Sequence, residues 1–177
     1  ISASATYKRF IKIIMPKNIL SKKTFFDLDF KWIDDVQVNL SAVERRTVSL
    51  TKRRTVKKEY QAAWLLKSIT LLDLTTLNGD DTFGKVDRLC QKALHPISLN
   101  ILNSLELEEE NVLVGAVCVY HNLVSHAKKQ LQDKLPIAAV STGFPAGLSS
   151  FETRKKEITN SIKAGADEID IVINRAY

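Results

Sequence analysis

Near its C-terminal end the chain reads Asp167-Glu168-Ile169-Asp170-Ile171-Val172-Ile173-Asn174, a run that sets acids among β-branched residues. Taken as a strand, it sends Ile169, Ile171 and Ile173 to one face and Glu168, Asp170, Val172 and Asn174 to the other. The isoleucine face suits packing against helices. Asp170, on the opposite face, needs solvent or a polar pocket, because burying an unpaired charge is costly. Carboxylates near the C-terminal ends of strands are a common way of building active sites in parallel α/β folds. The structural alternative for Asp170 is a loop cap or an ion pair with a neighbouring base.

Other candidates stand at similar places. Asp73-Leu74-Thr75-Thr76-Leu77-Asn78-Gly79-Asp80-Asp81-Thr82 follows a strand-like run, and alternation puts Asp73 and Thr75 on one face. Three aspartates so close suggest a metal, but the EF-hand spacing is absent, and helix capping and turn formation account for Asp80 and Asp81. Asp73 is left as the site candidate. Cys118, in Ala116-Val117-Cys118-Val119-Tyr120, has no histidine at a recognisable partner position, so a pocket-lining thiol is favoured over a nucleophile. His95, His121 and His126 lack metal-ligand spacing. The glycines of Gly143-Phe144-Pro145-Ala146-Gly147 permit close backbone approach, either to border a ligand or to make a tight turn between strand and helix.

The elements that must position these residues alternate. Strand-like runs fall at 69–74, 112–119, 137–142 and 168–173, with helical patterns at 83–94, 122–133 and 150–164 and a poorly defined stretch at 97–110. Asn122 opens the second of these helices, and Val124, Ala127 and Leu131 face inward. Ser149-Ser150-Phe151-Glu152 fits a capping box, and Gly165 fits a left-handed cap at the far end. Before the strands, residues 29–67 read mostly helical, with Trp64 on the buried side. The order β-α-β-α-β-α-β argues for a parallel sheet with right-handed crossovers. An open doubly wound sheet and a (β/α)8 barrel both fit. A whole barrel takes eight strands and about 250 residues, so the four strand-like runs of this chain supply half of one. No GxGxxG or GxxxxGK[ST] follows a strand, which removes the usual nucleotide-binding forms of the open sheet.

Composition adds bounds. The chain is 45% hydrophobic and 26% charged, in the range of ordinary globular proteins, and no apolar run approaches the roughly 20 residues of a membrane span. Two cysteines make no disulfide framework and point to a reducing, cytoplasmic setting. The net charge of +6 is uneven: residues 1–60 carry a balance of +8 and the remainder −2. The densest piece, Lys52-Arg53-Arg54-Thr55-Val56-Lys57-Lys58, reads as a solvated helix face, with nuclear import or a phosphate-binding patch as alternatives. No binding motif or aromatic platform accompanies it, which argues against nucleic acid. Residues 1–25 form a basic, acid-free extension, expected to be disordered; its composition faintly resembles a mitochondrial presequence.

Together, residues 73–82, 116–120, 143–147 and 168–175 resemble deoxyribose-phosphate aldolases. The stretch Arg53-Arg54-Thr55-Val56-Lys57-Lys58-Glu59-Tyr60-Gln61-Ala62-Ala63-Trp64-Leu65-Leu66-Lys67 is similar to the eukaryotic form. The resemblance runs from residue 26 to residue 177. It implies an α/β fold consisting of the N-terminal half of a (β/α)8 TIM barrel: a helical segment over 26–67, then the first four β/α strands over 68–177. It also implies a class I, Schiff-base lyase that uses neither metal nor other cofactor. Such an enzyme cleaves the sugar phosphate 2-deoxy-D-ribose 5-phosphate to acetaldehyde and D-glyceraldehyde 3-phosphate.

By the same resemblance Asp170 is the catalytic proton-relay carboxylate, while Asp73, Thr75 and Cys118 line the substrate site. His121 departs from the family pattern, which has proline there. The larger departure is that the Schiff-base lysine and its helper, carried by Lys-Thr-Ser-Thr-Gly-like and Gly-Phe-Lys-Pro-Ala-Gly-Gly-like motifs, do not occur in these 177 residues. The expectation is therefore a chain that is catalytically incomplete alone, with open sheet edges that favour a homo-oligomer or association with a whole enzyme.

Overall fold

The computed structural model describes residue 31, residues 34–53 and residues 55–175, so the extension expected over 1–25 lies outside the described residues. The chain divides into two compact units, one ending at Trp64 and the other starting at Leu65.

The first unit contains helix α1 (Leu40–Thr51) and most of α2 (Lys58–Ile69). Asn39 caps α1, its side chain accepting from the Ala42 N–H at 3.0 Å. Toward the other end, the hydroxyls of Thr47, Ser49 and Thr51 turn back onto backbone carbonyls three or four residues earlier. The basic run does not form a helix face as expected. Lys52 is the C-cap of α1, residues 55–57 have no regular structure, and Lys58 begins α2. The β-branched pair Thr55-Val56 between repelling cations explains the break. Trp64 is also corrected: it is 49% exposed, whereas Ala63 and Leu66 are buried.

In the second unit the expected first strand at 69–74 moves. Helix α2 continues to Ile69, Thr70 caps it by donating its hydroxyl to the Lys67 carbonyl, and strand β1 is Asp73–Thr75. The helix formers Ala62, Ala63, Leu65 and Leu66 carry the helix past the point where β-branched residues begin. Then follow α3 (Phe83–Leu94), a short helix α4 (Leu99–Ser104) in the stretch left undefined, β2 (Ala116–Tyr120), α5 (His121–Leu131), β3 (Ile137–Ser141), α6 (Phe151–Ala164) and β4 (Glu168–Ile171). The four strands lie in the order β1-β2-β3-β4, every pair parallel.

Several caps differ in detail from the sequence expectation. Thr82, not Asp80 or Asp81, caps α3 by accepting from the Lys85 N–H. Helix α5 starts at His121, one residue before Asn122, with no side-chain cap from Tyr120. On α6, Ser150 accepts from the Thr153 N–H, but Glu152 does not complete the box; it faces Lys155 at 3.8 Å. Gly165 ends α6 with φ of 102°, as expected.

Register assigns the faces. Val117 pairs with Ile137, Val119 with Ala139, and Ala139 with Ile169. These side chains meet Val86, Cys90 and Ala93 of α3 and Leu123, Val124, Ala127 and Leu131 of α5 in the main core. The amphipathic spacing of α3 and α5 puts exactly such residues on one side of each helix, and their burial is the main source of stability here.

Candidate functional site

The opposite face of the sheet carries the candidates. Thr75 pairs with Cys118, Cys118 with Ala138, and Val140 with Asp170, while Asp73 pairs with Ala116. Because register neighbours in a parallel sheet share a face, Asp73, Thr75, Cys118 and Asp170 all project from the side away from the main core. Cys118, Ala138 and Val140 form a small second cluster there, with Leu77, Tyr120 and Phe144 packed against it. Tyr120 and Phe144 meet edge to face, with ring centroids 5.9 Å apart.

Electrostatics ties the four residues together. The Cys118 thiol is buried, and its pKa is pushed up to about 11, first by burial and then by the Asp170 carboxylate. A hydrogen bond with the Thr75 side chain pulls the value down, and Asp73 adds to the rise. By register Thr75 stands level with Cys118 on the neighbouring strand, its hydroxyl donating to the Asp73 carbonyl at 2.8 Å, while Asp170 lies two strands from Cys118 and two residues further along the sheet. The thiol stays protonated at neutral pH, which fits a pocket wall and not a nucleophile. Asp170 is exposed, and among the described residues no salt bridge engages it. The ion-pair alternative thus finds no partner there.

The loops at the strand ends are fixed by side-chain hydrogen bonds, of which the sequence disclosed the turn-forming role of Asp81 but not its partners. The buried Thr76 hydroxyl bonds both oxygens of Asp81 at 2.9 Å. Asp81 also accepts the Asn78 N–H at 2.9 Å and pairs with Lys85 at 2.6 Å. Lys85 first, with Thr76 and Asn78, holds the Asp81 carboxyl below the usual range against the opposing effect of burial. Asp81 is thus the staple of the loop after β1, while the Thr76 N–H reaches back to the Cys118 carbonyl.

After β3, Gly143 (φ 78°) donates its N–H to Glu157 at 2.9 Å, and Gly147 (φ 69°) closes the turn onto the Gly143 carbonyl at 2.8 Å. A Cβ on Gly147 would stand 3.0 Å from the carbonyl carbon of Ile173, so this glycine serves close packing on the chain leaving β4. Thr142, just before the first glycine, bonds Val172 through its hydroxyl. Its only sequence signal was its place between a strand and a glycine.

Of the histidines, His126 contacts Asp87 at 2.7 Å and stacks on Phe83 at the α3–α5 seam, away from the strand ends. His121 borders an open cleft of about 600 Å³ with Gly143, Ser149, Glu152 and Glu157. Among the described residues no group of three or more His, Cys, Asp or Glu side chains is arranged to hold a metal ion. Nor is any described helix long and apolar enough to cross a membrane.

A four-stranded all-parallel β/α sheet in sequential order, with polar groups gathered on one face, matches the first half of a (β/α)8 barrel, whereas doubly wound sheets reverse strand order at a switch point. No protein-family model matches the chain. It is 51% identical over 152 residues to a deoxyribose-phosphate aldolase of Mus musculus, covering 84% of this chain and 48% of the relative. With the Homo sapiens deoxyribose-phosphate aldolase it shares 48% identity over 153 residues, covering 85% and 48%. Among solved structures, a provisionally assigned deoxyribose-phosphate aldolase from Coccidioides immitis superposes with a TM-score of 0.50 at 26% identity, over 63% of this chain and 38% of that one. The chain belongs to the deoxyribose-phosphate aldolase family. It spans about half the length of the curated relatives it matches.

Proposed function

We propose that this chain supplies the carboxylate-bearing half of a class I deoxyribose-phosphate aldolase site. The observation that carries the reading is that Asp73, Thr75, Cys118 and Asp170 project from one face of the parallel sheet, the face away from the main core. In the reaction, a lysine amine attacks the aldehyde of 2-deoxy-D-ribose 5-phosphate, and loss of water gives an iminium. The iminium draws electrons from the breaking carbon–carbon bond, releasing D-glyceraldehyde 3-phosphate and leaving an enamine of acetaldehyde. Asp170 moves protons at the carbinolamine and enamine steps, for which an exposed carboxylate in water contact is suited. Asp73 and Thr75 bind the sugar hydroxyls, and Cys118 forms an uncharged wall.

The amine comes from the lysine-bearing motifs of the family, which these 177 residues do not contain. The test is a chimera in which this chain is continued by the C-terminal half of the murine relative. We expect aldol cleavage, and a covalent adduct when acetaldehyde and borohydride are added. The 177 residues alone should give neither. An adduct on the 177-residue chain would overturn the division of labour.

A second reading concerns association. Ile171 and Ile173 are 59% and 68% exposed beside β4, whose outer edge has no strand partner among the described residues. That edge favours docking with another polypeptide, a second copy included. The free, buried state of Cys90 and Cys118 supports a reducing, cytoplasmic setting.

A further inference from the structure

The ladder between β3 and β4 ends at Ser141 and Ile171. One residue further on, Thr142 has φ of 62°, a left-handed conformation that a β-branched residue rarely adopts. Its backbone therefore turns away from β4 and cannot add another rung. The side chain takes over: the Thr142 hydroxyl accepts the Val172 N–H at 2.7 Å and donates to the Val172 carbonyl at 2.8 Å. Thr142 is only 8% exposed, so water competes little for these bonds.

The same loop presses on the next residue. Gly147 lies so close to the Ile173 peptide that a Cβ there would be 3.0 Å from its carbon and 3.1 Å from its oxygen. The Gly143 N–H bond to Glu157 ties the loop to α6. Val172 shares the strand face of Asp170 and follows it by two residues, so the β3 loop grips β4 directly beyond the carboxylate.

We propose that Thr142 is a positioning residue for Asp170, its hydroxyl replacing a backbone rung to fix the exit of β4, with Gly147 as a second point of the clamp. This rests on the reading of Asp170 as the proton carrier, but the grip itself is independent of catalysis. A strand end without such a clamp frays, and a carboxylate on it loses its fixed distance to the groups facing it. Those groups are Cys118, Thr75 and Asp73.

The test uses Thr142→Val, Thr142→Ser and Gly147→Ala in the full 177-residue chain, read by amide hydrogen exchange and by titration of the Cys118 thiol. Thr142→Val keeps shape and removes the hydroxyl. Exchange at Val172 should accelerate about fivefold or more, the change expected for one lost hydrogen bond. The thiol should titrate lower, because the Asp170 carboxylate moves away from it. Thr142→Ser should restore both properties. Gly147→Ala should reproduce the thiol shift with Thr142 intact, and so covers the case in which Thr142→Val does not fold.

Unchanged Val172 exchange and an unchanged thiol titration in Thr142→Val would overturn the proposal. So would a Thr142→Ser variant that behaves like the valine. If the clamp holds by these measures while Asp170→Asn leaves the chimera fully active, the catalytic reading fails and the positioning role stands.

Discussion

On the helix-covered face of the sheet, Val117, Val119, Ile137 and Ala139 have no solvent exposure at all, whereas on the opposite face Asp73, Thr75 and Asp170 are exposed around a small buried strip of Ala116, Cys118, Ala138 and Val140. The same strands supply both sets at alternate positions. Apolar burial on one side is roughly proportional to area removed from water and carries stability. On the other side, charge is kept at the surface, where it can act without a heavy desolvation cost. Stability and chemistry are thus separated by a single-residue step along each strand.

The separation can be broken first on the stable face. Leu131→Ala removes a fully buried side chain packed among α3, α5 and the sheet. It should cost about 2–5 kcal/mol in denaturant titration. Cys118→Ala, on the other face, should cost about 1 kcal/mol by the same measurement, since a single sulfur is lost. Equal costs would dissolve the distinction between the faces.

A smaller effect sharpens the comparison at the loop after β1. Asp81→Asn removes the charge that Lys85, Thr76 and Asn78 hold. Because the Asp81 pKa is lowered in the folded chain, its contribution is present above the ordinary carboxylate value near 3.8 and is lost as pH falls through the lowered value. Melting curves of the wild type and Asp81→Asn should therefore differ at pH 7 and converge in strong acid. A constant gap down to low pH would exclude the charge as its origin.

The contrast between the faces also explains what was readable in the sequence. Helical spacing in Val124, Ala127 and Leu131 reports burial directly, and strand alternation separates Ile169 on the main core from Asp170 on the opposite face, although Ile171, two residues beyond Ile169, is 59% exposed. Local hydrogen bonding was harder to read. Asp81 reads as a helix cap or a turn former, and it is the turn that it holds: Thr82 caps the helix, while Thr76, five residues earlier, binds the Asp81 oxygens. The start of β1 was misplaced because Ile69 satisfies helix and strand patterns alike, and only its tertiary setting decides between them. The clamp at Thr142 depends on a left-handed backbone angle and a partner thirty residues away, and neither leaves a periodic trace.

The role proposed for Asp170, carrying protons for this half of the site, is decided by kcat of Asp170→Asn in the chimera with the lysine-bearing half. We expect a fall of about 10²–10⁴-fold in kcat, with a melting temperature near that of the parent chimera. Turnover within a few-fold of the parent would contradict it.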